Sequence, residues 1–289
     1  MSDFLELSNI NIVTRSLLSE DEFPILKGLS PLNIRILNGS SRLLEVDQGV
    51  ETLHKGDNPR DLYFIRKGCV SIINDHGQQR DIIAKLGARN VFGEFSILRK
   101  KPRYASVYTN EASEIICISA PAVHQVIEAN QAFKNRLQSL LSQRMLNSFL
   151  FKHPIFQKLP KNLRLQFSKD LKTIFMPVDS QLITQHEENK GILLILSGSV
   201  DIYHSDHSGK EHLIEIRRDH DVIGELTLNQ GKTSAYSAIA SSDLDIFPLD
   251  HQTMLYIKNN HPETLKRLET YIHKRAQYTA KRLSDKSSK

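Results

Sequence analysis

The chain repeats itself at a spacing of about 130 residues, and this repeat constrains its fold more than any other feature. Pro24 and Pro154 open matching apolar segments, and Gly68 and Gly198 each end a short β-type run. A chain of 289 residues is long enough for two ordinary domains that each bury their own core. The sequence therefore predicts two copies of one structural unit.

Each copy is predicted to begin with an amphipathic helix, continue as short strands with glycine-bearing turns, and end in helix. The closing helices are expected over residues 121–151 and 251–283. The apolar stripes of the entry helices are Leu32, Ile36, Leu163 and Phe167. This order of elements predicts an α+β fold that is mainly β: two β-rolls of the jelly-roll type with flanking helices.

The segment from residue 92 to residue 103 carries the residue types that a sugar phosphate needs. Gly93 lets the backbone approach a ligand closely, and the Glu94 carboxylate can accept hydrogen bonds from a ribose hydroxyl. Residues 95–98 have the composition of one helical turn, whose free N–H groups attract an anion. Nine residues after Glu94, Arg103 offers a planar fork of donors to a phosphate. Together they predict a cyclic sugar phosphate site.

A partial copy of this segment follows 131 positions later. Gly224 and Glu225 recur, but Ser234 stands at the arginine position and Thr233 at the proline position. Losing a charge-assisted, bidentate hydrogen bond weakens binding by about tenfold to several hundredfold. Lys232 offers a point charge without the fork. We therefore interpret Gly224, Glu225 and Ser234 as a degenerate second site.

With these motifs in place, each half resembles a cyclic nucleotide-binding domain, as found in protein kinase A regulatory subunits and catabolite activator proteins. The resemblance is strong in the first half and weaker in the second. It implies an N-terminal segment over residues 1–20, a nucleotide-binding domain over 21–150 and a degenerate domain over 151–285. The residues that carry it are Gly49, Gly56, Asp57, Tyr63, Gly68, Phe92, Gly93, Glu94, Pro102 and Arg103.

The resemblance implies roles for residues of the first half. Glu94 would bind the ribose 2′-hydroxyl and Arg103 the cyclic phosphate, with cAMP or cGMP as the ligand and no cofactor. Tyr104 replaces the small residue usual after the arginine, and the absence of threonine or serine there favours cAMP over cGMP. The implied site residues are Phe92, Gly93, Glu94, Phe95, Ser96, Pro102, Arg103, Tyr104 and Ala105.

Several other functions are not expected. No nucleophile–base pattern or Walker loop indicates an enzyme. Three histidines, His204, His207 and His212, flank one hairpin without a metal-ligand spacing, so no metal site is predicted. We expect no winged helix-turn-helix after the second roll, hence no sequence-specific DNA binding. Without an 18-residue apolar run or a signal peptide, the chain is expected to be cytoplasmic with no transmembrane segment.

The leading hypothesis is a cyclic nucleotide sensor whose first domain binds ligand and changes the affinity for an unidentified effector protein. The alternative is a ligand-free interaction scaffold built on two such folds. Residues 258–289 carry nine Lys or Arg against three acids, which gives the scaffold a basic C-terminal helix as its contact surface. The sequence leaves open a cyclic dinucleotide as ligand, any ligand in the second domain, and homodimer formation.

Overall fold

A computed structural model describes residues 10–13, 17–58, 60–76, 79–153, 155–161, 164, 173–188, 191–206, 208–226 and 233–287. Five residues named above, Pro154, Leu163, Phe167, His207 and Lys232, lie outside this described part. Contacts between Cα atoms divide the chain into two compact units, Met1–Leu141 and Ser142–Lys289. The domain bounds implied by the resemblance stay a prediction.

The first unit begins with strand β1 and ends within helix α4. A short 3-10 helix, Pro24–Leu26, precedes α1. The elements in chain order are β1 (Ile10–Val13), α1 (Pro31–Gly39), β2 (Ser41–Val46), β3 (Glu51–Leu53), β4 (Leu62–Lys67), β5 (Cys69–His76), β6 (Gln79–Gly87), β7 (Val91–Phe92), α2 (Glu94–Arg99), β8 (Ser106–Thr109), β9 (Ser113–Ile118), α3 (Ala120–Ala129) and α4 (Gln131–Lys152).

Two antiparallel sheets form the roll of the first unit, with strand orders β1-β2-β9-β4-β7 and β3-β8-β5-β6. Side chains alternate along each strand, so a central strand can serve two cores. On β4, Tyr63 and Ile65 join the core that both sheets share, whereas Leu62 and Phe64 join a second core with α1, α3 and the start of α4. The roll is therefore packed on its inner face and on its helical face.

The second unit repeats this arrangement. A 3-10 helix, Phe156–Lys158, again precedes the strands. The elements in chain order are β10 (Ile174–Met176), β11 (Gln181–Ile183), β12 (Ile192–Ser197), β13 (Val200–Ser205), β14 (Glu211–Arg217), β15 (Val222–Ile223), β16 (Ser237–Ala240), β17 (Leu244–Leu249), α5 (His251–Asn260) and α6 (Pro262–Ser287).

Strand order shows that the two rolls are copies. The orders β10-β17-β12-β15 and β11-β16-β13-β14 match β2-β9-β4-β7 and β3-β8-β5-β6 of the first unit. The predicted β-roll fold with flanking helices is therefore confirmed. Two turns of the second unit have the same shape as in the first unit although they contain no glycine. Asp179 and His186 have φ of 65° and 69°, and their counterparts Gly49 and Gly56 have φ of 80° and 93°. Asp179 and His186 are therefore held in the left-handed region, which is strained for residues with a side chain, by the same turn geometry.

The helices differ from expectation in two respects. Each closing segment contains two helices, because the backbone leaves helical geometry at Asn130 and at His261. The apolar stripe predicted on α1 is wrong at Leu32, which is 62% exposed, while Asn33 and Leu37 are buried. Residues four apart share a helix face, so burying positions 33 and 37 turns position 32 toward solvent.

Candidate functional site

The predicted ligand loop of the first unit forms a tight turn between β7 and α2. Gly93 caps the helix with a left-handed φ of 88°, and Glu94 and Ser96 behind it are 6% and 1% exposed. Phe92 anchors the turn by stacking on Tyr63, with ring centroids 5.0 Å apart. The helical turn predicted over residues 95–98 is thus confirmed and begins one residue earlier.

Arg103 is the other half of this site and is only 4% exposed. Its Nη2 donates to the carbonyl oxygen of Asp61 at 2.8 Å and its Nη1 to that of Gly93 at 3.4 Å, while the guanidinium lies 5.3 Å from the centre of the Tyr63 ring. In the described part of the chain, no carboxylate forms an ion pair with Arg103 and its Nε has no hydrogen-bond partner. Burial lowers the pKa of Arg103 from its ordinary value.

The backbone around Arg103 is held by a turn that the sequence also singled out. The amide of Arg103 donates to the carbonyl of Asp57 at 3.0 Å, and the amide of Gly56 donates to the carbonyl of Arg103 at 2.9 Å. Ala105, two residues later, is buried at 8% exposure. These bonds fix where the arginine leaves the backbone and so direct its side chain toward Gly93.

Three predicted residues lie at the rim of the site. Pro102 is exposed and Tyr104 is 39% exposed, and the Tyr104 ring packs on half-buried Phe95 with centroids 5.1 Å apart. Tyr104 therefore points outward and leaves the interior of the roll uncrowded. The structure brings together Gly93 and Arg103, and adds Asp61 and Tyr63 as their supports.

The second unit keeps the backbone of this site and changes its side chains. The amide of Ser234 donates to the carbonyl of Glu187 at 2.9 Å, and the amide of His186 donates to the carbonyl of Ser234 at 2.8 Å. These two bonds copy those of Arg103. The Ser234 hydroxyl instead turns back to its own segment and donates to the carbonyl of Tyr236 at 2.8 Å.

Glu225, the counterpart of Glu94, lies in a fully buried polar cluster. Its Oε1 accepts from Arg217 Nη2 at 2.8 Å and from the Thr279 hydroxyl at 2.7 Å. Its Oε2 accepts from the Tyr236 hydroxyl at 2.9 Å. Burial alone raises the pKa of Glu225, but the Arg217 guanidinium and the hydroxyl of Thr279 lower it below its ordinary value.

The arginine in this cluster is held from two sides. Arg217 is 0% exposed, and its Nη2 lies 2.6 Å from Oε1 of Glu215 as well as 2.8 Å from Glu225. Burial by itself lowers the pKa of Arg217, while the charge of Glu225 raises it above its ordinary value. Both ions therefore stay charged inside the second roll.

Three members of the cluster, Arg217, Tyr236 and Thr279, were missed from the sequence. Tyr236 carried a readable signal, because it follows Ser234 by two residues as Ala105 follows Arg103. Arg217 and Thr279 come from another strand and from the last helix, so nothing in their local sequence indicated a meeting with Glu225.

In the described part of the chain, no group of three or more His, Cys, Asp or Glu side chains could hold a metal ion. His212 lies 2.9 Å from a carboxylate oxygen of Asp206, and His204 lies 3.0 Å from the carbonyl oxygen of Ala235. Both cysteines, Cys69 and Cys117, are free. None of the helices described has the length and apolarity needed to cross a membrane.

Two of the known proteins with similar sequences are regulatory subunits of cAMP-dependent protein kinase. The chain is 34% identical over 87 residues to the cAMP-dependent protein kinase type II regulatory subunit of Drosophila melanogaster, covering 29% of this chain and 22% of that protein. It is 23% identical over 210 residues to the cAMP-dependent protein kinase regulatory subunit of Hypocrea atroviridis, covering 70% and 43%. The chain spans 22% to 57% of the length of the curated relatives that it matches.

Among solved structures, the regulatory domain of Toxoplasma gondii PKA in co-crystal with cAMP is 17% identical, with a TM-score of 0.38. That match covers 86% of this chain and 92% of the other. A TM-score this low adds no weight to the sequence match. The family model of the cyclic nucleotide-binding domain matches residues 43–130 and 175–261, which together make up more than half of the sequence. The chain therefore belongs to the cyclic nucleotide-binding domain family and carries two such domains.

Proposed function

We propose that the chain is a regulatory sensor that binds one cyclic nucleotide, in its first domain. The observation that supports this most is the buried guanidinium of Arg103, which donates to carbonyl oxygens but forms no ion pair with a carboxylate in the described part of the chain. A buried cation without a counter-ion is costly, so an anion that reaches it is strongly favoured. Two of the five N–H donors are used by carbonyl oxygens, which leaves donors for a phosphate.

The remaining contacts are proposed from the residues around this cation. Glu94, at the start of α2, would accept from a ribose hydroxyl, and the backbone near Ser96 and Ala105 would complete the anion cradle. Because Tyr104 points outward and no threonine or serine follows Arg103, we propose cAMP rather than cGMP as the preferred ligand.

The output is proposed to be a change in affinity for an effector protein. The boundary between the two compact units falls inside α4, a single helix. Its residues Phe133 and Leu137 belong to a core of the first unit, and Leu146 and Phe149 to a core of the second. A ligand that shifts the start of this helix would change the partner affinity by about 5- to 150-fold, the usual range for such coupling. The two free cysteines suit the cytoplasmic location that we propose.

Calorimetric titration of cAMP, and then of cGMP, into protein freed of carried-over nucleotide tests this function. We expect one equivalent of cAMP to bind at micromolar affinity or tighter. Arg103→Ala should lose that binding, and the matched control Ser234→Ala should keep it. Two equivalents would contradict the silent second domain. No heat from folded protein with either nucleotide would contradict the sensor and favour the ligand-free scaffold.

A further inference from the structure

We infer that the second domain closes its nucleotide cradle with its own side chains, and that these side chains hold α6 in place without any ligand. The comparison behind this inference rests on the proposed function, because it takes the Arg103 site of the first domain as the competent form. Three positions differ between the two cradles in ways that act together.

The first difference is Tyr236, which stands where the first domain has Ala105. Each residue directly precedes the equivalent strand, β16 or β8, and each is buried. The Tyr236 hydroxyl accepts from the amide of Gly224 at 2.6 Å and donates to Glu225 at 2.9 Å. The Tyr236 hydroxyl thus binds the Glu225 carboxylate that a ribose hydroxyl would need. Its ring also fills space that Ala105 leaves open in the first domain.

The second difference is Arg217, which stands where the first domain has Leu86. Strand register identifies the pair, since Leu86 lies opposite Val70 and Arg217 lies opposite Val200. The second cradle therefore has serine at position 234 and contains an arginine from β14 instead. This second arginine is already paired with two carboxylates, so it offers an incoming phosphate no unpaired charge.

The third difference is that the last helix joins the cluster. The Thr279 hydroxyl of α6 accepts from Arg217 and lies 2.7 Å from Glu225. One turn earlier, Arg275 pairs with Asp221 at 3.0 Å. Two further residues of α6, Ala276 and Leu283, are buried in the core that the sheets of the second roll share. Polar and apolar contacts within the protein itself therefore fix α6 on its own roll.

Hydrogen exchange on the full chain, without nucleotide, tests the hold on α6. Thr279→Val and Tyr236→Phe each remove a hydroxyl from the cluster at nearly constant volume. We expect amides of residues 275–283 to exchange about tenfold faster in both variants. The control Thr264→Val changes a buried threonine of the same helix outside the cluster and should leave these amides unchanged. Unchanged exchange in both cluster variants would overturn the inference.

Rebuilding the cradle tests the closure. The variant Arg217→Leu/Ser234→Arg/Tyr236→Ala copies the residues of the first domain, and we expect its titration to rise from one equivalent of cAMP to two. Ser234→Arg alone should stay at one, because Tyr236 and Arg217 still fill the cradle. A second equivalent in the single variant, or none in a folded triple variant, would overturn the closure. If the unaltered chain binds no nucleotide, the proposed function fails, while the exchange experiment still decides the hold on α6.

Discussion

The guanidinium of Arg103 lies directly against the backbone of Gly93, with Nη1 3.4 Å from the glycine carbonyl oxygen. A Cβ at position 93 would lie 2.8 Å from that nitrogen and 2.8 Å from the carbonyl oxygen of Asp61. Gly93 also has a φ of 88°, where residues with a side chain are strained. Glycine is therefore needed for the turn and for the seat of the arginine.

Gly93→Ala is expected to displace Arg103 and to weaken cAMP binding by at least about tenfold, the loss of one charge-assisted hydrogen bond. The matched control is Gly49→Ala, because Gly49 has a similar φ of 80° but no heavy atom of a described residue within 4 Å of an added Cβ. Both variants should lose about 1–2 kcal/mol of unfolding free energy to backbone strain. Calorimetric titration of cAMP should show the loss of affinity in Gly93→Ala and not in the control. An equal loss of affinity in both variants would contradict the role given to Gly93.

The two buried arginines should respond differently to removal. Arg217→Leu leaves Glu225 charged at 0% exposure without its cation, so the second domain should lose about 3–5 kcal/mol of unfolding free energy. Slow amide exchange in β14, which reports unfolding of that domain, measures the loss. Adding Glu225→Gln to Arg217→Leu should recover most of it. A single variant as stable as the unaltered chain would show that Glu225 does not need Arg217 as its buried partner.

Arg103→Leu is expected to cost the first domain far less stability than Arg217→Leu costs the second. Arg103 gives up charge-assisted hydrogen bonds to two carbonyl oxygens, worth about 1.5–3 kcal/mol each, but its removal also relieves the desolvation of a buried cation that forms no ion pair in the described part of the chain. The net loss of unfolding free energy should therefore be only about 1–2 kcal/mol. Amide exchange in β4 and β9 measures this effect. A loss as large as 3–5 kcal/mol would indicate that Arg103 supports the fold rather than a ligand.

The second domain should lose stability in mild acid because of His153. This histidine is 0% exposed, packs on Phe149 and Phe156, and burial, with a smaller effect of His220, lowers its pKa to about 4. Above the unfolded pKa of about 6.5, the histidine is neutral in both states and its full contribution is present. Between about pH 6.5 and 4 only the unfolded state takes up the proton, so stability falls by about 3 kcal/mol.

The variant His153→Phe checks this pH dependence. Phe23, the residue at the matching position of the first domain, is equally buried, so phenylalanine suits this place in the fold. We expect the thermal midpoint of the second domain to change less between pH 7 and pH 4.5 in the variant than in the unaltered chain. An identical pH profile would show that another group titrates.

The fold was predictable, and the first site could be proposed, because their signals are local. Glycines at turns, alternating strand residues and the spacing of Glu94 and Arg103 are all readable from neighbouring residues. The stripe on α1 was misread at Leu32 because the exposed face of a helix depends on how it docks. The second site was only half predicted: the absent arginine at position 234 was visible, and the contacts of Arg217, Tyr236 and Thr279 with Glu225 were not.

By itself, the sequence determined that two β-rolls follow one another and that only the first retains an arginine beside its glycine and glutamate. Only the tertiary structure decided which side chains contact Glu225, the glutamate of the second domain. Strand register places Arg217 against Glu225, eight residues later in the sequence. The packing of α6 places Thr279 against the same carboxylate, 54 residues away in the sequence. A buried carboxylate must find donors wherever the fold supplies them, and those partners are set by register and packing rather than by local spacing.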